Sequence, residues 1–260
     1  STLQPVNHSA KFGIRHSAID ICHAGISFSV RLSVFFGRRL GCHPKPAISE
    51  RQRIEMNQLS REIPIVPQKS ALLFIDVQNY NARSDGSEYR DEGLTPAEAE
   101  TKYEYFFKQL NEVALPNMQR LQTACRQKGI EVLYTVIESL TADGRDRSLD
   151  YKITGFNVPK DSPDARVLDA IKPIGDEIVF PKTSSSVFIS TNIHYILGNL
   201  GVDYLIVSGL LTDQCISSAV RDACDLGYLV TLVTDACATH TQQRHDTSLD
   251  HIKGYCRQRT

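Results

Sequence analysis

The sequence predicts one layered α/β domain preceded by a basic tail, and three observations carry that reading. Short, continuous apolar runs alternate along the chain with longer stretches of helical period, the pattern of parallel β-α-β units with right-handed crossovers. The length of 260 residues suits one medium α/β domain with an extension, or two small domains. An apolar share of 41% and a charged share of 23% are ordinary for a globular chain.

Residues 1–55 stand apart. Lys11, Arg15, Arg31, Arg38, Arg39, Lys45, Arg51 and Arg53 outweigh Asp20, Glu50 and Glu55, and no period is sustained. Such a start reads as an organelle transit peptide, a disordered tail, or sequence upstream of a true start at Met56. The expected compartment follows from this: cytoplasm for the last two readings, an organelle for the first. The globular domain is expected over residues 56–260.

Ala71–Val77 (ALLFIDV) is an apolar run ending beside an acid, as a strand buried on both faces would be. Pro96 to Gln127 reads as helical, with Thr95 as N-cap, Glu98 three residues on, and a kink expected at Pro116. Gly129 ends it. Ile130–Val136 is the second strand and Glu177–Phe180 the third. Between them Ser139–Asp161 is polar and aperiodic, and a loop of that length in a compact domain is usually functional or mobile. Ser190–Asn199 is helical, Asp203–Ser208 is the fourth strand, and Asp213–Leu226 is a helix ended by Gly227. Tyr228–Thr234 is the fifth strand and Thr241–Ile252 the last helix.

In open parallel sheets ligands bind beyond the carboxyl ends of the strands. Those ends hold Asp76, then Glu138 and Ser139, then Pro181–Lys182, then Gly209 to Cys215, then Asp235. An acid, an amine and a thiol thus converge on one rim from distant positions. Cys215 falls at the expected start of a helix, where partial positive charge and a nearby ammonium favour the thiolate, the nucleophilic form. Asp76 can carry the thiol proton to a leaving amine. Each residue also has a plain structural reading. Cys215 alone is a buried helix cysteine, as Cys125, Cys224 and Cys237 are read to be; Lys182 alone is a solvated loop lysine. Asp76, inside an apolar run, needs a partner in any case.

The segments LLFIDVQN (72–79), VFPKTSSSVF (179–188), SGLLTDQCISSAVRDACDLGY (208–228) and VTDACAT (233–239) together resemble the isochorismatase-like cysteine hydrolases. The resemblance runs from about residue 70 to 252 and is nearest to ureidoacrylate and N-carbamoyl amidohydrolases. It implies a three-layer α/β/α, Rossmann-like fold with a six-stranded, mostly parallel sheet, commonly assembled as a homo-oligomer. It also implies Asp76 as acid/base, Lys182 as the stabilising cation and Cys215 as nucleophile. A cis peptide at Leu210–Leu211 would aim the backbone N–H groups of Leu211 and Cys215 into an oxyanion hole. Thr212 and Asp213 then serve the turn and helix cap. The Asp-x-His-x-x-His metal site of nicotinamidases is missing, since no histidine lies between His43 and His194. Neither metal nor cofactor is therefore expected. The family's last strand is hardly visible before the chain stops at Thr260.

Gln78, Asn79, Asn81 and Arg83 follow the acid and are candidate substrate contacts, with Arg83 as a two-pronged carboxylate ligand or an ordinary surface residue. Ser186, beside Ser184, is a further candidate contact or a helix cap. Tyr151, Lys152 and Phe156 would close over a ligand from the long loop. His240, His245 and His251 read as surface residues. The function expected is hydrolysis of a C–N bond in a small ureido, carbamoyl or primary amide substrate. The alternatives are a vinyl ether hydrolase of isochorismatase type and a silent interaction protein on the same scaffold. A formal net charge of −1 gives no case for nucleic acid or an anionic membrane as partner. Apolar runs of about eight residues are too short to span a bilayer. Seven cysteines without C-x-x-C spacing argue against a disulfide framework.

Overall fold

The computed structural model describes residues 60–260. The basic segment 1–55 and its boundary with the domain at residue 56 lie outside the described residues. Strand β1 (Ser70–Ile75) leads through α1 (Asn79–Ala82), α2 (Ser87–Asp91), α3 (Pro96–Lys102), α4 (Glu104–Gln109) and α5 (Leu115–Gln127) to β2 (Glu131–Ile137). Helix α6 (Leu149–Thr154) precedes β3 (Val179–Lys182), and α7 (Val187–Ser190) with α8 (Ile193–Asn199) precedes β4 (Tyr204–Leu210). Helix α9 (Ser217–Asp225) leads to β5 (Leu229–Ala238), and α10 (Gln242–Ile252) to the short edge strand β6 (Arg257–Arg259).

The sheet runs β3-β2-β1-β4-β5-β6, and every pairing is parallel. Side-chain alternation splits the core into two layers. Ala71, Leu73 and Ile75 face one way, against Leu197, Ile216 and Val220. Leu72 and Phe74 face the other way, against Phe106, Leu110 and Met118. β1 is therefore buried along its whole length, which is why it reads as an unbroken apolar run.

Several boundaries differ from expectation. The Pro96–Gln127 stretch does not bend at Pro116. It breaks at Tyr103 (φ −112°, ψ 32°) and again at a π-helical turn, Leu110–Ala114. Pro116 sits instead in the first turn of α5, where its missing N–H leaves no helix bond unmade. The Thr95–Glu98 capping box is present, with Thr95 N–H donating to Glu98 at 2.9 Å. The expected loop 139–161 contains α6, capped by Ser148 and ended by Gly155 in the left-handed region. The helix expected from Asp213 opens with a π-helical turn, Thr212–Ile216. β5 continues to Ala238, so Asp235 lies inside the strand and not beyond its end.

Chain order reverses beside β1, which is flanked by β2 and by β4. A crevice opens at such a switch point. The two strands approach closely there, with Ile75 opposite Gly209. Gly209 has φ 131°, and a Cβ on it would lie 2.2 Å from the Ile75 carbonyl oxygen. Gly209→Ala is expected to destabilise the protein by about 3 kcal/mol or more, read by denaturant unfolding. Gly198→Ala in α8, where a Cβ meets open space, should leave stability unchanged or raise it by up to about 1 kcal/mol.

Candidate active site

Asp76 ends β1 with φ 54°, a conformation that takes its side chain out of strand alternation. The backbone of β2 holds it there: Asp76 N–H donates to the Thr135 carbonyl at 3.1 Å. Thr135 Oγ1 in turn donates to Asp76 Oδ1 at 2.6 Å. The carboxylate is fully buried, so its second oxygen needs a counter-charge.

Lys182, the last residue of β3, supplies it. Its ammonium lies 2.8 Å from Asp76 Oδ2, and both side chains are sealed from solvent. The three N–H groups go elsewhere: to Tyr151 Oη at 2.9 Å, to the Ser184 carbonyl at 2.9 Å and to Cys215 Sγ at 3.4 Å. With its protons so assigned, the ammonium meets Oδ2 chiefly as a charge, and that oxygen has no well-directed hydrogen-bond donor among the described residues. Burial disfavours the charged lysine, but Asp76, Cys215 and Tyr151 together prevail and hold its pKa well above the usual lysine value.

Cys215 lies in the π-helical turn that follows β4, with its sulfur turned to Lys182 and 3.8 Å from Tyr151 Oη. The sequence favoured a thiolate at rest. The structure corrects that: burial pushes the thiol up to about 12, Lys182 pulls it down, and Asp76 pushes it up again. Desolvation of a bare thiolate outweighs the single nearby ammonium, which is already shared with a carboxylate. Burial and the Asp76 carboxylate thus favour the neutral thiol at Cys215. Tyr151 is likewise held neutral, its pKa raised chiefly by burial.

The cluster opens on a narrow hollow lined by Asp76, Tyr80, Asn81, Glu88, Ile137, Phe156, Leu210, Leu211, Gln214 and Cys215. The Leu210–Leu211 peptide on its wall is cis. A broader depression along α5, by Glu112 and Arg120, gathers none of these groups. Of the candidate contacts, Asn81 lines the hollow. Gln78 does not: its amide donates to the carbonyls of Ile137 and Asp164 and accepts from Ile137 N–H, a fully buried tie between segments. Asn79 donates to the Pro163 carbonyl. Arg83 is exposed and paired with Asp85 at 2.7 Å, away from the hollow. Ser186 caps α7 by accepting from Phe188 N–H, and Ser184 reaches Lys182 through its backbone alone. Tyr151 belongs to the charged cluster itself, and Phe156 packs against it and Tyr80 as a cover. Lys152 points to solvent.

At the other rim positions, Glu138 accepts from Asp161 N–H and Ser139 bonds Asn157, so neither joins the cluster. Asp213 accepts from Arg244 at 2.6 Å, and Thr212 bonds His245 at 3.0 Å, fastening the turn before α9 to α10. His245 and His240 are therefore half-buried structural residues, the latter packed against Tyr103 and Phe106. Thr135 and Glu88 escaped sequence reasoning. A lone hydroxyl near the end of an apolar strand was the one signal for Thr135; nothing local marked Glu88. Among the described residues no group of three or more His, Cys, Asp or Glu side chains is close enough to hold a metal ion, and no helix is long and apolar enough to cross a membrane.

Residues 70–259 match the isochorismatase domain model. N-carbamoylsarcosine amidase from Arthrobacter is 35% identical over 122 residues, which is 45% of this chain and 46% of that protein. This chain thus spans about half the length of that relative. Ureidoacrylate amidohydrolase from Serratia proteamaculans is 25% identical over 190 residues, 67% of this chain and 71% of that protein. The crystal structure of a cysteine hydrolase from Pseudomonas syringae superposes with a TM-score of 0.65 at 22% identity, covering 76% of this chain and 92% of that one; it shares the fold. With the domain match spanning the whole sheet, the chain belongs to the isochorismatase family.

Proposed function

We propose that this protein is a cysteine amidohydrolase that needs no metal and cleaves a C–N bond of a small ureido, carbamoyl or primary amide compound. The observation that carries the reading is the meeting of Asp76, Lys182 and Cys215 around one ammonium, at the mouth of a hollow. The cluster itself supplies a nucleophile, a proton carrier and a fixed cation. The named amidase relatives support the same bond class.

In the first half-reaction Sγ bonds to the substrate carbonyl carbon as its proton passes to the unused Oδ2 of Asp76. Proton transfer coupled to attack avoids forming a free buried thiolate. The carbonyl oxygen gains the negative charge, facing the backbone N–H groups of Leu211 and Cys215 as an oxyanion hole. The adduct collapses by breaking the C–N bond, and the Asp76 proton goes to the departing ammonia or amine. In the second half-reaction water gives a proton to Asp76 and attacks the thioester. The C–S bond then breaks and sulfur regains the proton. Lys182 stays charged throughout and Tyr151 faces the sulfur. A vinyl ether hydrolase makes no use of the thiol, and a silent scaffold makes no use of the free Oδ2.

Cys215→Ala is expected to lose at least about 10⁴-fold in kcat on its best substrate from a panel of ureidoacrylate, N-carbamoylsarcosine, biuret, nicotinamide and isochorismate. Its circular dichroism and melting should stay near wild type. Full activity in that variant would end the thiol mechanism, and turnover of isochorismate alone would move the enzyme to vinyl ether cleavage.

The electrostatics yield a second expectation. Asp76 raises the Cys215 pKa, so Asp76→Asn should lower it and increase the thiolate fraction at pH 8. Iodoacetamide should then alkylate Cys215, mapped by peptide mass, faster in Asp76→Asn than in wild type, although turnover falls by about 10² to 10⁴. Slower or unchanged alkylation would show that the carboxylate is no neighbour of the thiol.

A further inference from the structure

The lining of the hollow carries polar groups that the proposed chemistry does not use. The Asn81 side chain is 4% exposed, yet its carboxamide makes no hydrogen bond among the described residues, and Oδ1 is sealed without a partner. Glu88, in the first turn of α2, lines the same hollow and has no ion-pair or hydrogen-bonding partner among the described residues. Burial pushes its carboxyl up to about 8. Gln214 presents a further amide from the turn after β4. None of the residues lining the hollow is an arginine or lysine. Arg83, the expected carboxylate ligand, is paired with Asp85, and Lys182 is committed to Asp76, Tyr151 and Ser184.

Unpaired buried polar groups cost free energy until a ligand meets them. A carboxamide offers one acceptor and one donor, the complement of another amide or urea. A glutamate side chain, protonated or not, offers lone pairs to an N–H and brings no positive charge. A substrate carboxylate in this hollow would lose its hydration and meet no cation among the lining residues.

Resting on the amidohydrolase reading, we propose that Asn81 and Glu88 form a specificity subsite for the distal end of the substrate, and that this end is an N–H-bearing amide, urea or amine and not a carboxylate. The substrate class is then a short ureide with a second nitrogen function. The carbonyl nearest Cys215 is attacked, and the far N–H groups donate to Glu88 and Asn81.

The test compares three matched ureas: N-carbamoylglycine, which carries a carboxylate, its neutral amide N-carbamoylglycinamide, and N-(2-aminoethyl)urea, which is cationic. Wild type should favour the neutral and cationic compounds over the anion by about tenfold or more in kcat/KM. In Glu88→Gln, of nearly the same shape, that ratio should shrink, chiefly through KM. In Glu88→Lys it should reverse. Binding of the same compounds to Cys215→Ala, followed by calorimetry, reads the subsite without chemistry. A preference for the N–H-bearing compounds there, with no turnover by wild type, would sustain the subsite and overturn the amidohydrolase reading. Turnover with the anion preferred, a ratio unmoved by Glu88→Gln, or no binding of any of the three to Cys215→Ala, would overturn the subsite.

Discussion

The buried contact between Lys182 and Asp76 organises the rest of the site. Taking two ions out of water costs several kcal/mol for each, and at 2.8 Å with both side chains sealed the pair has no solvent to share that cost. What holds it is the completeness of its surroundings. Thr135 donates to one aspartate oxygen, and the lysine protons go to Tyr151, Ser184 and Cys215. These groups come from β1, β2, β3, the α6 segment and the turn after β4, so the pair can form only once the sheet has assembled. Fold and site are therefore coupled through one electrostatic requirement.

The same burial decides the state of the sulfur. A lone ammonium at 3.4 Å would stabilise a thiolate by its charge, but this ammonium is already neutralised by a carboxylate that repels the thiolate. Cys215 therefore waits protonated, with an acceptor oxygen beside it. Tyr151 ties this behaviour to the long polar segment before β3. Its ring is packed against Phe156 and its hydroxyl reaches both Lys182 and Cys215, so the segment forms a wall of the site and not a detached flap.

Specificity is drawn from a different part of the chain. The α1–α2 region brings Asn81 and Glu88 to the lining of the hollow, and it also holds Arg83 in a surface pair. The catalytic cluster is built on strand ends, where backbone hydrogen bonds fix each position. The proposed specificity subsite lies on short helices, whose sequence can vary without disturbing the sheet.

Much of this was legible from residues alone. Continuous apolar runs marked the buried parallel strands, because strands covered on both faces cannot alternate with polar residues. The placement of Asp76, Lys182 and Cys215 at strand ends pointed to one rim, because topology sends every parallel strand's carboxyl end to the same side. The Thr95–Glu98 cap was legible because its hydrogen bonds are local. What the sequence could not decide depended on distance through space. Whether Gln78 faced a ligand or tied Asp76's strand to its neighbours, whether Arg83 met a substrate or Asp85, and whether Cys215 rested as thiol or thiolate all turned on which groups became neighbours and how much water was left between them. Helix formation and apolar patterning act over a few residues, so one dimension records them. Desolvation and charge pairing act between residues far apart in the chain, and only the packed structure sets their balance.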